Sequence, residues 1–431
     1  MSTLIKGGKI LDPGNIDAMG DILVDGDRIR KIYCCGDGKP ATSSSEAKPD
    51  KIIDASGKIV VPGLIDMHVH LREPGHEYKE TIETGSRAAA HGGFTTICCM
   101  PNTRPVNDCR EITGYILSQA KKAGLARVLP VGAVSRGLEG KQLSEFHEMK
   151  SAGAVAVTDD GRPVTNTLLM RRAMEYARGA GLLVISHCED LDLALNGVMN
   201  EGETAARLGL SGIPNAAESI MAARDILLCE LTGVPVHIAH VSAKETVDLI
   251  RAAKNRGIPV TAETAPHYFS LTDKAVEGYN TNAKMNPPLR TEQDRNAVRE
   301  GLADGTIDVI ATDHAPHSDM EKEVEFDQAA NGVIGLETSL PLGLGLVEKG
   351  ILTLSQLIEK MSKNPARILG LKTDLIQGNA ADITLIDLEK TFTVDAGAFH
   401  SRSRNTPFNG WQLRGKAVLT MMSGRIVFED L

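Results

Sequence analysis

The segment Asp66-Met67-His68-Val69-His70-Leu71-Arg72 carries more structural information than any other part of this chain. It follows an apolar run, residues 59–65, that is typical of a buried strand. Side chains two residues apart on a strand point to the same face, so His68 and His70 are able to share one metal ion. Arg72 lies on the same side and can bind an anion. One His-x-His pair is a weak signal, but four more candidate ligands follow later strands.

Composition restricts the classes of function. The chain has 431 residues, 42% of them hydrophobic, enough for one large domain with an appendage or for two or three small ones. A net charge of -9 without a basic run argues against nucleic-acid binding. Seven cysteines, an odd number with two adjacent pairs, indicate free thiols in a reducing compartment. With no evident secretory signal and no long apolar run, we expect no membrane span and a cytoplasmic location.

Both ends of the chain resemble short strands joined by turns. Asp25-Gly26 lies between two strand-like runs, which is a hairpin signal, and Ser423-Gly424 predicts a second turn. We therefore expect residues 1–58 and 375–431 to pair into one small β domain. The polar residues 36–50 predict an exposed, mobile loop.

Apolar strands alternate with amphipathic helices between these ends. The predicted strands are residues 59–66, 94–100, 126–134, 154–158, 182–186, 234–239, 258–263 and 308–311, with helices such as 78–90, 165–178 and 216–231. Eight such units predict an α/β fold, a (β/α)8 TIM barrel over residues 59–374. An open doubly wound sheet is the alternative, and the absence of G-x-G-x-x-G after the first strand weakens its dinucleotide-binding version.

Polar residues follow the ends of at least five predicted strands, where barrels of this kind carry their chemistry. Six of these residues are candidate metal ligands: His68, His70, Asp160, His187, His240 and Asp313. Burying four imidazoles and two carboxylates without a cation would be costly, and this donor set suits Zn2+. The expected arrangement has two ions: the first held by His68, His70 and Asp313, the second by His187 and His240, with Asp160 as bridge. Asp313 is also placed to accept a proton from water, which makes it the candidate catalytic base.

These motifs, in this order, resemble the amidohydrolase superfamily and, within it, the class I dihydroorotases of the bacterial type. The resemblance covers essentially the whole chain. It is carried by His68-Val-His70-Leu-Arg72-Glu-Pro-Gly75, Met100-Pro-Asn102-Thr103, Thr158-Asp-Asp160-Gly161, His187-Cys-Glu-Asp190, Asn286-Pro-Pro288-Leu-Arg290, Asp313-His-Ala-Pro-His317, Gly335-Leu-Glu337-Thr338 and Asn405-Thr-Pro407-Phe408.

The resemblance implies reversible, zinc-dependent cyclisation of N-carbamoyl-L-aspartate to (S)-dihydroorotate, with one or two Zn2+ ions held by the same six ligands. It implies that the substrate carboxylate binds Arg72, Asn102 and His317, and that the ring's amide edge binds Asn286, Asn331 and Gly332. It also leaves room for a homodimer and for association with aspartate transcarbamoylase. The chain departs from the family at residues 329–332, Ala-Ala-Asn-Gly, where relatives often have proline.

Two other functions stay open at this point. A hydantoinase or allantoinase would open a similar cyclic amide, but such relatives usually lack an arginine after His-x-His, so Arg72 and Asn102 favour dihydroorotase. A catalytically silent scaffold would have lost metal ligands, and this chain keeps all six. The acidic loop at residues 318–331 is either a solvated connection or a lid over the substrate. We expect His237 to point away from His240 and to be structural, whereas His267 is either structural or packed behind a ligand.

Overall fold

The computed structural model describes residues 2–34 and 48–431, so residues 36–47 of the predicted mobile loop lie outside the described residues. Its strands are β1 (Ser2–Asp12), β2 (Ile16–Asp25), β3 (Arg28–Cys34), β4 (Lys51–Asp54), β5 (Ile59–Pro62), β6 (Leu64–Val69), β7 (Phe94–Cys99), β8 (Arg127–Gly132), β9 (Ala156–Val157), β10 (Leu183–Ser186), β11 (Met199–Asn200), β12 (Gly212–Ile213), β13 (Val236–Ile238), β14 (Val260–Thr264), β15 (Val309–Ile310), β16 (Ile383–Thr393), β17 (Gln412–Met422) and β18 (Arg425–Glu429).

Helices follow most of the central strands. They are α1 (Ile82–Gly92), α2 (Arg110–Ala123), α3 (Phe146–Ala152), α4 (Thr167–Ala180), α5 (Leu191–Ala194), α6 (Glu203–Leu208), α7 (Asn215–Thr232), α8 (Lys244–Asn255), α9 (Pro266–Ser270), α10 (Glu292–Asp304), α11 (Asp319–Lys322), α12 (Ser339–Glu348), α13 (Leu354–Ile358) and α14 (Asn364–Leu369).

Eight parallel strands form the predicted barrel, in the order β6-β7-β8-β9-β10-β13-β14-β15. The barrel closes where Val69, at the end of β6, forms a parallel bridge with His314 just after β15. Both faces of these strands are buried and mostly apolar, because helices cover the outside and side chains fill the inside. The (β/α)8 prediction is therefore confirmed, and all strand ends that carry candidate ligands open at one rim.

The two ends of the chain share a second sheet, in the order β18-β17-β16-β5-β1-β2-β3, with β4 paired to β1. The predicted turns are present, since Asp25 ends β2 in an antiparallel hairpin with β3, and β17 and β18 flank Ser423-Gly424. Its core is a separate apolar cluster that includes Ile10, Ile22 and Leu385. The division into domains at residues 58 and 375 stays a prediction.

The prediction of one strand over residues 59–66 is wrong. The apolar run divides at Gly63: β5 pairs with β1 and β16 in the terminal sheet, and only β6 belongs to the barrel. Gly63 lies at the crossing between the sheets, where a Cβ would stand 2.2 Å from Oγ1 of Thr95. An apolar run alone does not show that its two halves pair with different partners.

One predicted helix start was also wrong. The helix predicted from residue 78 begins at Ile82, because Thr81 accepts a hydrogen bond from the backbone of Thr84 and forms a capping box with it. The helices predicted from residues 165 and 216 match α4 and α7 closely. All six cysteines among the described residues are free thiols, as expected. No helix within residues 2–34 and 48–431 is long and apolar enough to cross a membrane.

Substituting Gly63 with alanine should lower the free energy of unfolding by about 1–3 kcal/mol, because the new methyl group overlaps the buried, stiff side chain of Thr95. Gly114→Ala is the matched control. Gly114 lies inside α2, and a Cβ added there would have no neighbour within 4 Å, so alanine should stabilise the protein by about 0.5–1 kcal/mol. Chemical denaturation of both variants measures the two changes. Equal stability of Gly63→Ala and the unmodified protein would contradict the packing at this crossing.

Candidate metal centre and substrate cavity

Asp160 lies at the centre of the barrel rim, surrounded by four imidazoles from three other strand ends. Its Oδ1 is 3.4 Å from Nε2 of His68 and 3.5 Å from both Nδ1 of His187 and Nε2 of His240, and its Oδ2 is 3.5 Å from Nε2 of His70. All five side chains are nearly inaccessible to solvent. The predicted ligands therefore converge within reach of a shared cation.

Asp313 completes this cluster from the end of β15. Its Oδ1 lies 3.2 Å from Nε2 of His70 and 3.7 Å from Nε2 of His68. Two atoms of the cluster, Nε2 of His68 and Oδ1 of Asp160, are buried without a hydrogen-bond partner. Buried polar atoms in proteins normally have a hydrogen-bond partner. A metal ion bound between these two atoms would supply the partner that each lacks.

The carboxylates of the cluster are stabilised by nearby positive charge. Burial would raise the pKa of Asp160, yet His68, His187 and His240 outweigh it and hold the pKa of this carboxyl well below its usual range. Burial would likewise lower the pKa of His187, but Asp160 and Glu189 raise it to about 10. Positive charge must balance the carboxylates, and either protons on the imidazoles or a bound metal ion supply it.

Three of the imidazoles donate their outer N–H to an oxygen. Nδ1 of His68 donates to Oε1 of Glu263 at 2.7 Å, and Nδ1 of His70 donates to Oδ1 of Asn102 at 2.9 Å. Nε2 of His187 lies 3.2 Å from Oε2 of Glu189. Each contact leaves the other ring nitrogen facing Asp160, where a deprotonated ring could offer its lone pair to a metal ion. Such outer partners orient metal-ligating histidines in proteins, so the donor set, orientation and charge of this cluster suit a metal ion.

Three site residues have a left-handed backbone that side chains rarely adopt. The φ angles are 61° for Arg72, 34° for His240 and 47° for Asp313. Each such residue costs about 1–3 kcal/mol and persists only where surrounding contacts hold it. All three come directly after barrel strands, and the unusual backbone turns their side chains into the rim.

The side of the cavity beside the metal cluster is built to bind an anion. Nη2 of Arg72 is 3.2 Å from Nε2 of His317, and Nε of Arg72 donates to the carbonyl of Pro316 at 3.1 Å. Burial lowers the pKa of Arg72 to about 10, so its guanidinium keeps its charge at neutral pH. Burial, Arg72 and Lys79 lower the pKa of His317 to about 2, so its ring is neutral. Nε2 of His317 also lies 2.8 Å from the carbonyl of Asn331, which takes up its N–H. The buried guanidinium of Arg72 is therefore the group here that suits a carboxylate.

One cavity of about 210 Å3 joins the metal cluster to this anion site. It is lined by His70, Arg72, Asn102, Asp160, Gly161, His187, His240, Asn286, Asp313, Ala315, His317, Asn331 and Gly332. The lining thus includes every predicted site residue except His68, which contacts Asp160 from the barrel interior. The volume is below the about 300–1,000 Å3 of drug-sized pockets and suits a small polar molecule.

Sequence reasoning missed the carboxylates behind the ligands and misplaced one histidine. His237 does not point away from the site: it is fully buried, with Nε2 3.2 Å from Oε2 of Glu263, the carboxylate that also binds His68. Strand alternation fails here because β13 ends at Ile238 and His240 lies beyond it. Glu263 ends a predicted buried strand. A charged residue at that position could have indicated a carboxylate that supports the site. His267 is buried, and its Nε2 makes no hydrogen bond among the described residues.

Comparison with known proteins identifies the family. Residues 57–246 match the family model described as dihydro-orotase-like. A dihydroorotase from Desulforapulum autotrophicum is 60% identical over 424 residues, which is 98% of each chain. A dihydroorotase from Geobacter metallireducens is 56% identical over the full length of both chains. The chain belongs to the dihydroorotase family. The resemblance found in the motifs is thereby confirmed over the whole sequence.

Solved structures with the same fold include hydantoinases. The L-hydantoinase (dihydropyrimidinase) from Arthrobacter aurescens has a TM-score of 0.88 and 28% identity, covering 99% of this chain and 96% of that one. A D-hydantoinase from Thermus sp. has a TM-score of 0.79 and 26% identity, covering 99% and 95%. Sequence identity to these structures is about half of that to the dihydroorotases, which agrees with a shared fold and a closer relationship to the latter.

Replacing Glu263 with glutamine should weaken metal binding about 10–100-fold, because the amide accepts less strongly from Nδ1 of His68 and no longer balances its charge. Metal content after dialysis against graded chelator, measured by elemental analysis, gives the affinity. Glu83→Gln is the control, since Glu83 is exposed on α1 and pairs with Arg87 on the same helix. Equal metal retention by Glu263→Gln and the control would show that Glu263 does not support the centre.

Proposed function

We propose that this chain is a dihydroorotase that interconverts N-carbamoyl-L-aspartate and (S)-dihydroorotate in pyrimidine biosynthesis. The observation that carries the proposal is one small cavity in which the buried guanidinium of Arg72, with His317 beside it, lies next to a buried cluster of candidate metal ligands. Full-length relatives named dihydroorotase, at 54–60% identity, support it. The substrate has a ring amide, which the metal cluster would open, and a carboxylate, which Arg72 would bind.

Zn2+ is the proposed metal, with one or two ions per chain. His68, His70 and Asp313 would hold one ion, His187 and His240 the other, and Asp160 would reach both. When bound there, Zn2+ lowers the pKa of water and polarises the scissile amide carbonyl. The donor set, imidazole and carboxylate without thiolate, agrees with a hydrolytic zinc site.

Asp313 is the proposed general base and acid. In hydrolysis its carboxylate takes a proton from the attacking water, the water oxygen bonds to the amide carbon, and the C–N bond breaks. Asp313 then gives that proton to the departing ring nitrogen, and ring closure reverses these steps. Burial raises the pKa of Asp313, but hydrogen bonding to His70 and the nearby His68 and His240 outweigh it, so the group is a carboxylate able to accept.

Two asparagines of the cavity have hydrogen-bonding groups left over for the carboxylate and the ring amide of the substrate. Oδ1 of Asn102 accepts from His70, which leaves its amide N–H groups to donate to the substrate carboxylate with Arg72. Nδ2 of Asn286 donates to Glu189 at 3.0 Å, which leaves its Oδ1 to accept from a ring N–H. The backbone at Asn331-Gly332 lies on the same wall and would bind the amide edge.

A cytoplasmic location, a homodimer and association with aspartate transcarbamoylase stay predictions. The silent-scaffold alternative finds no support among the site residues, since all six candidate ligands converge. Hydantoinase activity is the second candidate function, because hydantoinases share this fold at up to 28% identity among the structures compared. A hydantoin ring bears no carboxylate at the matching position, so Arg72 distinguishes the two functions.

Activity on dihydroorotate should exceed activity on hydantoin and dihydrouracil by at least about 100-fold in kcat/KM, because only dihydroorotate has a carboxylate for Arg72. Arg72→Gln should remove that preference by lowering kcat/KM for dihydroorotate about 100-fold, with little change for dihydrouracil. Arg87→Gln, at an exposed position on α1, is the control. Higher activity on hydantoin than on dihydroorotate in the unmodified protein would refute the proposed function.

Asp313→Ala should lower kcat by at least about 100-fold, because the proton carrier between water and ring nitrogen is gone. Metal should stay at least partly bound, since His187, His240 and Asp160 keep their places. A steady-state assay combined with elemental analysis of the same sample measures both quantities. Asp319→Ala, on the exposed surface of α11, is the control. Unchanged kcat in Asp313→Ala would remove Asp313 from the proposed role.

A further inference from the structure

Lys322 is a buried lysine outside the catalytic cluster, at the end of α11 in the loop that follows the last barrel strand. Only 4% of its surface is exposed. Its Nζ donates to three backbone carbonyls, those of Ala330 at 2.7 Å, Gly332 at 3.2 Å and Lys284 at 3.4 Å. The ammonium thus joins the end of this loop to a segment that follows β14.

The partners of Lys322 are unusual for a buried charge. Within residues 2–34 and 48–431 its Nζ forms no ion pair with a carboxylate, so carbonyl oxygens alone replace its hydration. Burial and the ammonium of Lys284 lower the pKa of Lys322 to about 7, although Glu321 opposes them. A buried lysine with this environment is costly unless the three carbonyls stay together around it.

The three carbonyls lie at or next to the wall of the substrate cavity, since Gly332 lines it and the other two residues are close in sequence to lining residues. Ala330 and Gly332 are the sequence neighbours of Asn331, and Lys284 lies two residues before Asn286; both asparagines line the cavity. The amide of Gly332 donates to the carbonyl of Lys284 at 2.9 Å, which joins the same two segments a second time. Gly332 has a φ of 126°, and a Cβ there would lie 2.6 Å from Cβ of Ala315, so its backbone passes tightly against the loop after β15.

We propose that Lys322 is a positioning residue that holds the Asn331-Gly332 backbone and the Lys284–Asn286 segment in the shape that the amide edge of the ring requires. The proposal rests on the proposed function for the identity of the ring. Lys322 lies behind the cavity wall and does not line it, so it acts through the backbone that it gathers. Its amino group acts as a hydrogen-bond donor to three carbonyl oxygens.

The neighbouring residue holds the other side of α11 independently. Oε1 of Glu321 is 2.6 Å from Nζ of Lys79, and its Oε2 accepts from the hydroxyl of Ser318 at 2.8 Å. Nζ of Lys284 donates to the carbonyl of Asp327 at 2.9 Å, within the same loop. These contacts do not involve Nζ of Lys322, so a variant should fold with α11 in place and lose only the bonds of Nζ to Ala330, Gly332 and Lys284.

The test compares Lys322→Met, which keeps an unbranched chain but has no donor, with Lys322→Arg, which keeps charge and donors. For Lys322→Met we expect KM for dihydroorotate to rise at least about tenfold while kcat changes less than about threefold, because binding to the ring weakens and the reacting groups stay in place. Metal content should be unchanged. Lys322→Arg should recover part of the loss in KM. Lys121→Met, exposed on α2, is the control and should resemble the unmodified protein.

Hydrogen exchange supplies a readout that needs no substrate. The amides of residues 326–333 should exchange faster in Lys322→Met than in the control, with no change at the metal ligands. Unchanged KM and unchanged exchange would overturn the proposal, as would a fall in kcat with KM unaltered. If Lys322→Met does not fold, Lys322→Gln is judged by the same two quantities. Absence of dihydroorotase activity in the unmodified protein would refute the proposed function, whereas exchange would still decide the role of Lys322.

Discussion

The balance of charge around Asp160 is the constraint on which the rest of this structure depends. A carboxylate surrounded by four imidazoles, with a second carboxylate beside it, lies in a dry rim where isolated charges are costly. Further carboxylates, Glu263 and Glu189, stand behind the imidazoles and hold their ring orientation. Removing any member would leave the charges of the others less well balanced.

Strained backbone at the rim follows from the same requirement. Arg72, His240 and Asp313 each adopt a left-handed conformation directly after a strand, where the regular path would point their side chains elsewhere. Regular hydrogen bonding in the barrel below holds these turns in place, since the amide of His70 donates to the carbonyl of His314 at 2.8 Å across the seam. A rigid scaffold thereby sustains local strain at the position of the chemistry.

Much of the barrel and of the candidate metal site could be predicted from the sequence, because the alternation of side chains along a strand and the position where a strand ends are local properties. The eight barrel strands and the convergence of His68, His70, Asp160, His187, His240 and Asp313 follow from them. What could not be predicted depends on distant partners. The division at Gly63 requires β16, more than 300 residues away, and the inward position of His237 requires a shared carboxylate on β14. Lys322 lies in a polar, acidic stretch that predicts an exposed side chain. Its burial depends on contacts with residues distant in sequence, such as Lys284.

The seam of the barrel has a consequence for biosynthesis of the protein. His70 and Asp313 stand 243 residues apart in sequence and meet only where the first barrel strand bridges the last. A nascent chain at about 5–20 residues per second therefore exposes His68 and His70 for many seconds before their partner emerges from the ribosome. The terminal sheet takes longer still, because β16, β17 and β18 complete it after the barrel. Coordination of a metal ion by all six candidate ligands would thus be a late event, which has to wait for the last barrel strand.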